Sequence, residues 1–351
     1  MEDQRFQTKI GDAPVAENSL SRFKDNAHTP SRVIVEYLLK EVPEFRKLSE
    51  LREQVKAQFK GDRFFEKQRQ AADYADNKTA KQFYKMMKTI ACDMHQVTGV
   101  FHIKNRSQDG CSVLDMCMAP GGFLAIALSC NPQAQALAFS LPKINGGHSV
   151  LLPKRPNVTL KFLDVTMLAE DMGLPSIPHE HPDARNFLPS QFDPRQSFDL
   201  IICDGQVLRN HDRASYRERT EASRLSLAQL TLALDHMNPG GTMIVLLHKV
   251  EALATVQLLY TFDKFASVQL FKHTNTTPNG PPSICWQPIS ELILKMQRRR
   301  LKDGKFNGRL QHVEVLLKEF GTRLISLGRR IWEIQANALE NAPFIRRTSS
   351  S

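Results

Sequence analysis

Through the middle of the chain, short apolar runs alternate with longer stretches of helical spacing. Runs at 111–116, 135–140, 158–163, 198–203, 242–248, 267–272 and 289–296 read as strands, and helices fit between them at about 122–130, 217–236 and 251–264. That alternation predicts an α/β fold built on a doubly wound, parallel, seven-strand sheet. Ahead of it, Val33, Tyr37, Leu38 and Val42 recur near helical spacing, and Pro43 falls where one helix gives way to the next. Phe83, Met86, Met87 and Ile90 form a second apolar stripe, which is expected to carry Lys85 and Lys88 close to the core surface. After the sheet, Leu310, Val313, Leu317, Phe320, Leu324, Leu327, Ile331 and Ile334 follow at steps of three or four, a long amphipathic helix with arginines on its other face. Residues 174–197, rich in Pro, His and Asp, read as a surface loop. The expected division is a polar, mobile leader at 1–30, a helical segment at 31–95, the α/β domain at 96–297 and a basic helical tail at 298–351 with a disordered end.

Composition narrows this little. With 351 residues and 41% hydrophobic side chains the chain suits a folded α/β core with appended segments. No apolar run approaches the roughly 20 residues that span a bilayer, so no membrane association is expected. The six cysteines are scattered and form no Cys-x-x-Cys pair, which argues against a zinc site or a disulfide framework and for an intracellular, cytoplasmic or nuclear setting. The net charge is +10, and from Lys295 to Arg347 thirteen Lys/Arg stand against five Asp/Glu, an excess of eight. Such an excess is compatible with a nucleic-acid partner and equally with a solvated helix face.

The chemistry concentrates after the first strand. Val113-Leu114-Asp115-Met116-Cys117-Met118-Ala119-Pro120-Gly121-Gly122-Phe123 runs from a strand through a glycine turn into a helix. That arrangement presents bare backbone N–H groups and a helix N-terminus above the sheet edge, where nucleotide-like ligands bind. The spacing is neither the dinucleotide fingerprint nor the phosphate loop, and no lysine follows to hold a polyphosphate, so the cofactor is expected to be nucleoside-like. Charged groups also close other strands: Asp164 the third, Asp204 the fourth and Lys249 the fifth. Each alone is more often a helix cap or turn residue than a catalytic one. With Asp115 closing the first strand, four in one chain point to a shared crevice.

These residues resemble the FtsJ-like methyltransferases, over roughly residues 80–297, and a fungal branch of them at Leu141-Pro142 and Gly146-Gly147-His148. The resemblance implies a Rossmann-like methyltransferase sheet, S-adenosylmethionine as cofactor and methylation of RNA ribose 2′-hydroxyls. It implies a Lys-Asp-Lys-Glu tetrad at Lys85, Asp204, Lys249 and Glu291, with Lys88 the competing first member. Cofactor contacts are implied at Asp115, Pro120, Gly121, Gly122, Phe123, Asp164 and Asp204, Asp164 at the adenine. The stretch 141–148 stands where an acid often grips the cofactor ribose, leaving that contact to backbone or Asn145. Lys249 is expected to orient and deprotonate the hydroxyl, and His248, its neighbour on the strand, to face the other way. Two alternatives stay open at this point: a small-molecule O-methyltransferase, and an inactive RNA-binding module.

Overall fold

The computed structural model describes residues 29–57, 70, 73, 76–104, 110–174, 176–208, 211, 213–274, 290–296 and 312–342. All but the last two positions of the expected leader, and the expected disordered end at 346–351, lie outside them. The helices are α1 (Pro30–Glu41), α2 (Pro43–Ala57), α3 (Asn77–Thr98), α4 (Gly122–Cys130), α5 (Glu221–Asp235), α6 (Leu253–Asp263) and α7 (Val313–Glu340). The strands are β1 (Ser112–Asp115), β2 (Gln135–Ser140), β3 (Val158–Phe162), β4 (Phe198–Cys203), β5 (Met237–Leu247), β6 (Ala266–Phe271) and β7 (Ser290–Met296).

The strands form one sheet in the order β3-β2-β1-β4-β5-β7-β6. β1 lies parallel between β2 and β4, β2 pairs parallel with β3, and β4 pairs parallel with β5. The parallel sheet carries one strand of opposite direction: β7 runs antiparallel to both β5 and β6. Consecutive neighbouring strands pair antiparallel without the crossover that a parallel return requires. The helix expected from 217 begins only at Glu221, because Ser215–Arg217 forms a separate 3-10 turn.

Strand periodicity divides the core in two. Val113, Leu200, Ile202 and Ile244 face a cluster under α3 and α4, while Leu114, Ile201, Met243 and Val245 face the opposite cluster. Successive strand residues point to opposite faces, so strands buried on both sides are largely apolar: all six residues of β4 are buried, and its one acid, Asp199, accepts from the Ser112 amide at 3.0 Å and the Asn238 side chain at 2.8 Å. α3 begins at Asp76, whose carboxylate accepts the Thr79 amide hydrogen at 2.7 Å, and ends at Gly99, left-handed at φ +65°. The expected boundary at 95/96 therefore falls inside a helix, and α3 belongs to the sheet's own core through Ile90 and Met94.

α1, α2 and α7 make a further layer, with α7 against α2, α1, α6 and β6. Tail and N-terminal segment are thus one packed unit. Its centre is Trp332, fully buried and edge-on to Phe45 at 5.2 Å between ring centroids. The Trp332 indole donates to Glu251 Oε2 at 3.3 Å, and Arg52 donates to Glu251 Oε1 at 2.7 Å and to Gln335 at 3.0 Å. Arg323, one of the tail arginines, is held by Asp263 at 3.1 Å and the Val268 carbonyl at 3.1 Å. Trp332→Ala is expected to lower unfolding stability by about 3–5 kcal/mol in urea titration. A loss under about 1 kcal/mol would make α7 a loose appendage.

Candidate active site

The site lies at the carboxyl edge of the sheet between β1 and β4, where the strand order reverses direction. Beyond β1 the chain still bonds to both neighbours: the Met116 amide donates to the Ile202 carbonyl at 3.1 Å and the Met118 amide to that of Phe139 at 2.9 Å. It then turns through Gly121, left-handed at φ +103°, which caps α4. Gly122 is compelled by space: a Cβ there would stand 2.4 Å from Met87 Cβ and 3.0 Å from the Lys88 backbone nitrogen. Helix α4 therefore starts in direct contact with α3.

A cavity of about 310 Å³ opens above this turn, of a size that suits a small-molecule ligand. Phe83, Met86, Met87 and Ile90 of α3 line one wall; Pro120 and Phe123 belong to the turn. Asp164 and Asp204 supply carboxylates from the ends of β3 and β4, and Leu141, Gly147 and His148 approach from the loop after β2. Asp164 also caps its own turn, accepting from the Thr166 amide at 2.9 Å and the Thr166 hydroxyl at 2.7 Å.

Two carboxyl groups adjoin here, Asp115 buried and Asp204 half-buried with one oxygen enclosed. Asp115 is 1% exposed, and its carboxyl is pushed well above the usual range by burial and by the neighbouring Asp204. Burial raises Asp204 to about 7, and its Oδ1 is enclosed with no hydrogen-bond partner among the described residues. Burial and the same two carboxyls raise the thiols of Cys117 and Cys203, which makes them poor nucleophiles. At the mouth, burial lowers His148 and His211, which favours neutral imidazoles.

Of the expected residues, Pro120, Phe123, Asp164 and Asp204 line the cavity; Asp115 adjoins Asp204, and Gly121 and Gly122 complete the turn between Pro120 and Phe123, all three outside the lining. The structure does not bring Lys85 or Lys88 to them. Both are exposed and outside the cavity lining, because Met87 and Ile90 take the inward face of α3 and a helix cannot turn both stripes to the core. Neither candidate for the first tetrad lysine, Lys85 or Lys88, lines the cavity. Asn145 also lies outside the lining; Leu141, Gly147 and His148 stand there instead. Lys249 is exposed, two residues beyond β5 and outside the lining, at the same edge as Leu246, which does line it. The backbone register of β7 places Glu291 between Leu246 and Phe271.

Sequence reasoning missed Lys272 and His273, which line the cavity at 5% and 7% exposure. His273 Nδ1 stands 2.6 Å from the Asp93 carboxylate on α3. A signal existed: Lys272 follows the apolar end of β6 as Asp204 follows β4. Placing the strand at 267–272 counted that lysine as a strand residue and hid it.

A family model of FtsJ-like methyltransferases matches residues 82–280, more than half of the chain. The chain belongs to the FtsJ-like methyltransferase family. No curated protein matches the sequence significantly. Among solved structures, a ribosomal RNA methyltransferase from Plasmodium falciparum is similar at 14% identity, over 61% of this chain and 97% of that one, with a TM-score of 0.36. The N-methyltransferase NodS of Bradyrhizobium japonicum is similar at 9% identity over 64% and 99%, with a TM-score of 0.34. A fibrillarin pre-rRNA processing protein of Methanococcus jannaschii is similar at 9% over 57% and 70%, with a TM-score of 0.32. At scores this low the family assignment rests on the sequence match.

The protein is an S-adenosylmethionine-dependent methyltransferase, and the cavity suits that cofactor. The unpartnered Asp204 oxygen, the Gly121-Gly122 turn and the apolar α3 wall fit a ligand that is part cation, part nucleoside. Bound there, it supplies an electrophilic methyl group on a sulfonium. Asp115, Pro120, Gly121, Gly122, Phe123, Asp164 and Asp204 would hold it.

The pH behaviour of Asp204 has a definite sign. Its carboxyl ionises near 3.8 when unfolded and about 7 when folded, so the folded state binds the extra proton between those values. Stability therefore falls as pH rises through that window. Asp204→Asn is expected to raise the melting temperature at pH 8 and leave it nearly unchanged at pH 4; equal shifts at both would contradict a neutral carboxyl. Binding the cationic cofactor favours the ionised carboxylates, so calorimetry near pH 6 in buffers of different ionisation enthalpy is expected to show proton release. Proton uptake would reject it.

Proposed function

We propose that this protein methylates RNA at ribose 2′-hydroxyl groups. The observation that carries the reading is the Asp204 carboxyl, with its enclosed and unpartnered oxygen, in a cavity framed by the family's glycine turn, with lysines at the same sheet edge. The RNA substrate rests on the resemblance to the family and draws support from the net charge of +10.

Methyl transfer is an in-line displacement in which the hydroxyl oxygen forms a bond to the methyl carbon as the carbon–sulfur bond breaks, its electron pair leaving with sulfur, and the hydroxyl loses its proton. This chain's part is to position the hydroxyl and accept that proton. Two lysines stand at the edge, Lys249 after β5 and Lys272 after β6. Lys272 is the better placed, because it lines the cavity whereas Lys249 is exposed. Asp204 would orient the lysine and stabilise the ammonium that forms once the amine has taken the proton, and the backbone register of β7 keeps Glu291 at the same edge. In this reading the tetrad of the resemblance keeps Asp204, Lys249 and Glu291, and Lys272 stands in for Lys85.

The apolar α3 wall favours a second reading, a small-molecule hydroxyl acceptor. Incubation with labelled cofactor and total RNA, followed by mapping of label to base or ribose, separates the two. Ribose label is expected, reduced about 100-fold or more in Lys272→Met and less in Lys249→Met. The opposite order would move the proton acceptor to Lys249. Cofactor binding without any label on RNA would favour the small-molecule reading.

A further inference from the structure

We propose that the outward face of α3 is a phosphate-binding rail for single-stranded RNA. The inference deepens the RNA reading above and rests on it. α3 carries four lysines, Lys78, Lys81, Lys85 and Lys88, and all four are exposed. At 3.6 residues per turn they fall within an arc of about 80°, nearly opposite Phe83, Met86, Met87 and Ile90, and span about 15 Å of helix axis.

Two features set this stripe apart from an ordinary solvated helix face. Solvated faces commonly alternate sign, so that i,i+4 pairs attract. Here Lys81, Lys85 and Lys88 follow at steps of four and three, and among the described residues none meets a carboxylate within ion-pair distance. The only acid within α3, Asp93, is turned away to His273 at 2.6 Å. A second strand of chain adds to the charge: Arg155 and Lys154 are exposed, and the Arg155 guanidinium acts on the Tyr84 phenol, opposing the rise that burial causes. Lys88 Nζ lies 5.6 Å from the centre of the same Tyr84 ring. Tyr84, Lys85, Lys88, Thr89 and Cys92 line a surface hollow there.

The inner face of this helix lines the cavity assigned above to the cofactor, and a helix with side chains is about 10–12 Å across. A strand that presents a ribose hydroxyl at the opening of that cavity reaches the rail within a few nucleotides. Contacts to phosphate hold the strand without reading sequence.

Binding of a 20-nucleotide oligouridylate, measured across a salt series without methyl donor, tests the rail. In Lys81→Gln/Lys85→Gln/Lys88→Gln the slope of log affinity against log salt is expected to be shallower by about 2, because each phosphate that a lysine neutralises adds about 0.7 to it. Affinity at low salt is expected to fall tenfold or more, with cofactor affinity and melting temperature unchanged. The triple Lys→Arg variant is expected to keep the slope. An unchanged slope in the Gln variant, or no oligouridylate binding by the parent protein, overturns the proposal. Failure of the Gln variant to bind polyglutamate, with the RNA slope intact, overturns it in favour of an acidic protein partner. Because no methyl donor is present, a protein that shows the expected slope but never labels ribose keeps the rail and loses only the methylation reading.

Discussion

The backbone of Gly122 presses against α3 closely enough to exclude even a methyl group, and the site depends on that contact. With Met87 Cβ at 2.4 Å from where a side chain would begin, α4 starts against the inward face of α3. The contact sets the rotation of α3 about its axis. Met86, Met87 and Ile90 then wall the cavity, Met94 enters the sheet's core, and the lysines stand outward. One close approach thereby joins the turn, the apolar wall and the charged surface. A larger residue at 122 would separate all three.

The second constraint is electrostatic. Asp115 and Asp204 end neighbouring strands and share a dry environment, so both cannot ionise without a compensating charge. A fold that keeps such a pair gives up stability at neutral pH for a site poised to accept a cation. Cys117 and Gly205 crowd the same spot, with Cys117 Sγ 2.5 Å from where a Gly205 side chain would begin, so the loops after β1 and β4 are pressed together. Adjoining carboxyl groups and close-packed loops together make the edge rigid and receptive to positive charge.

Much of this was legible in sequence because it rests on local rules. Strand periodicity located the strands, since a parallel strand buried on both faces is largely apolar along its length. The Gly121-Gly122 turn was legible because few residues tolerate its backbone, and Asp204 because it directly follows an apolar run. Lys272 follows the same rule and was missed through a one-residue error in strand end. The exposed position of Lys85 was hidden for a different reason: helical spacing reveals a stripe but not how far a lysine beside it lies from the core. The direction of β7 was also hidden, since an apolar strand reads alike in either direction.

The sequence by itself determined the element types, the glycine turn, the acidic strand ends and the family of the protein, because each is written within a few neighbouring residues. Only the tertiary structure decided which charges share the cavity. That choice depends on helix rotation and strand order, which are settled by packing between segments far apart in the chain. Packing turned Lys85 and Lys88 to solvent, brought Lys272 and His273 inward, and bound the basic tail helix to α1 and α2 as part of the core.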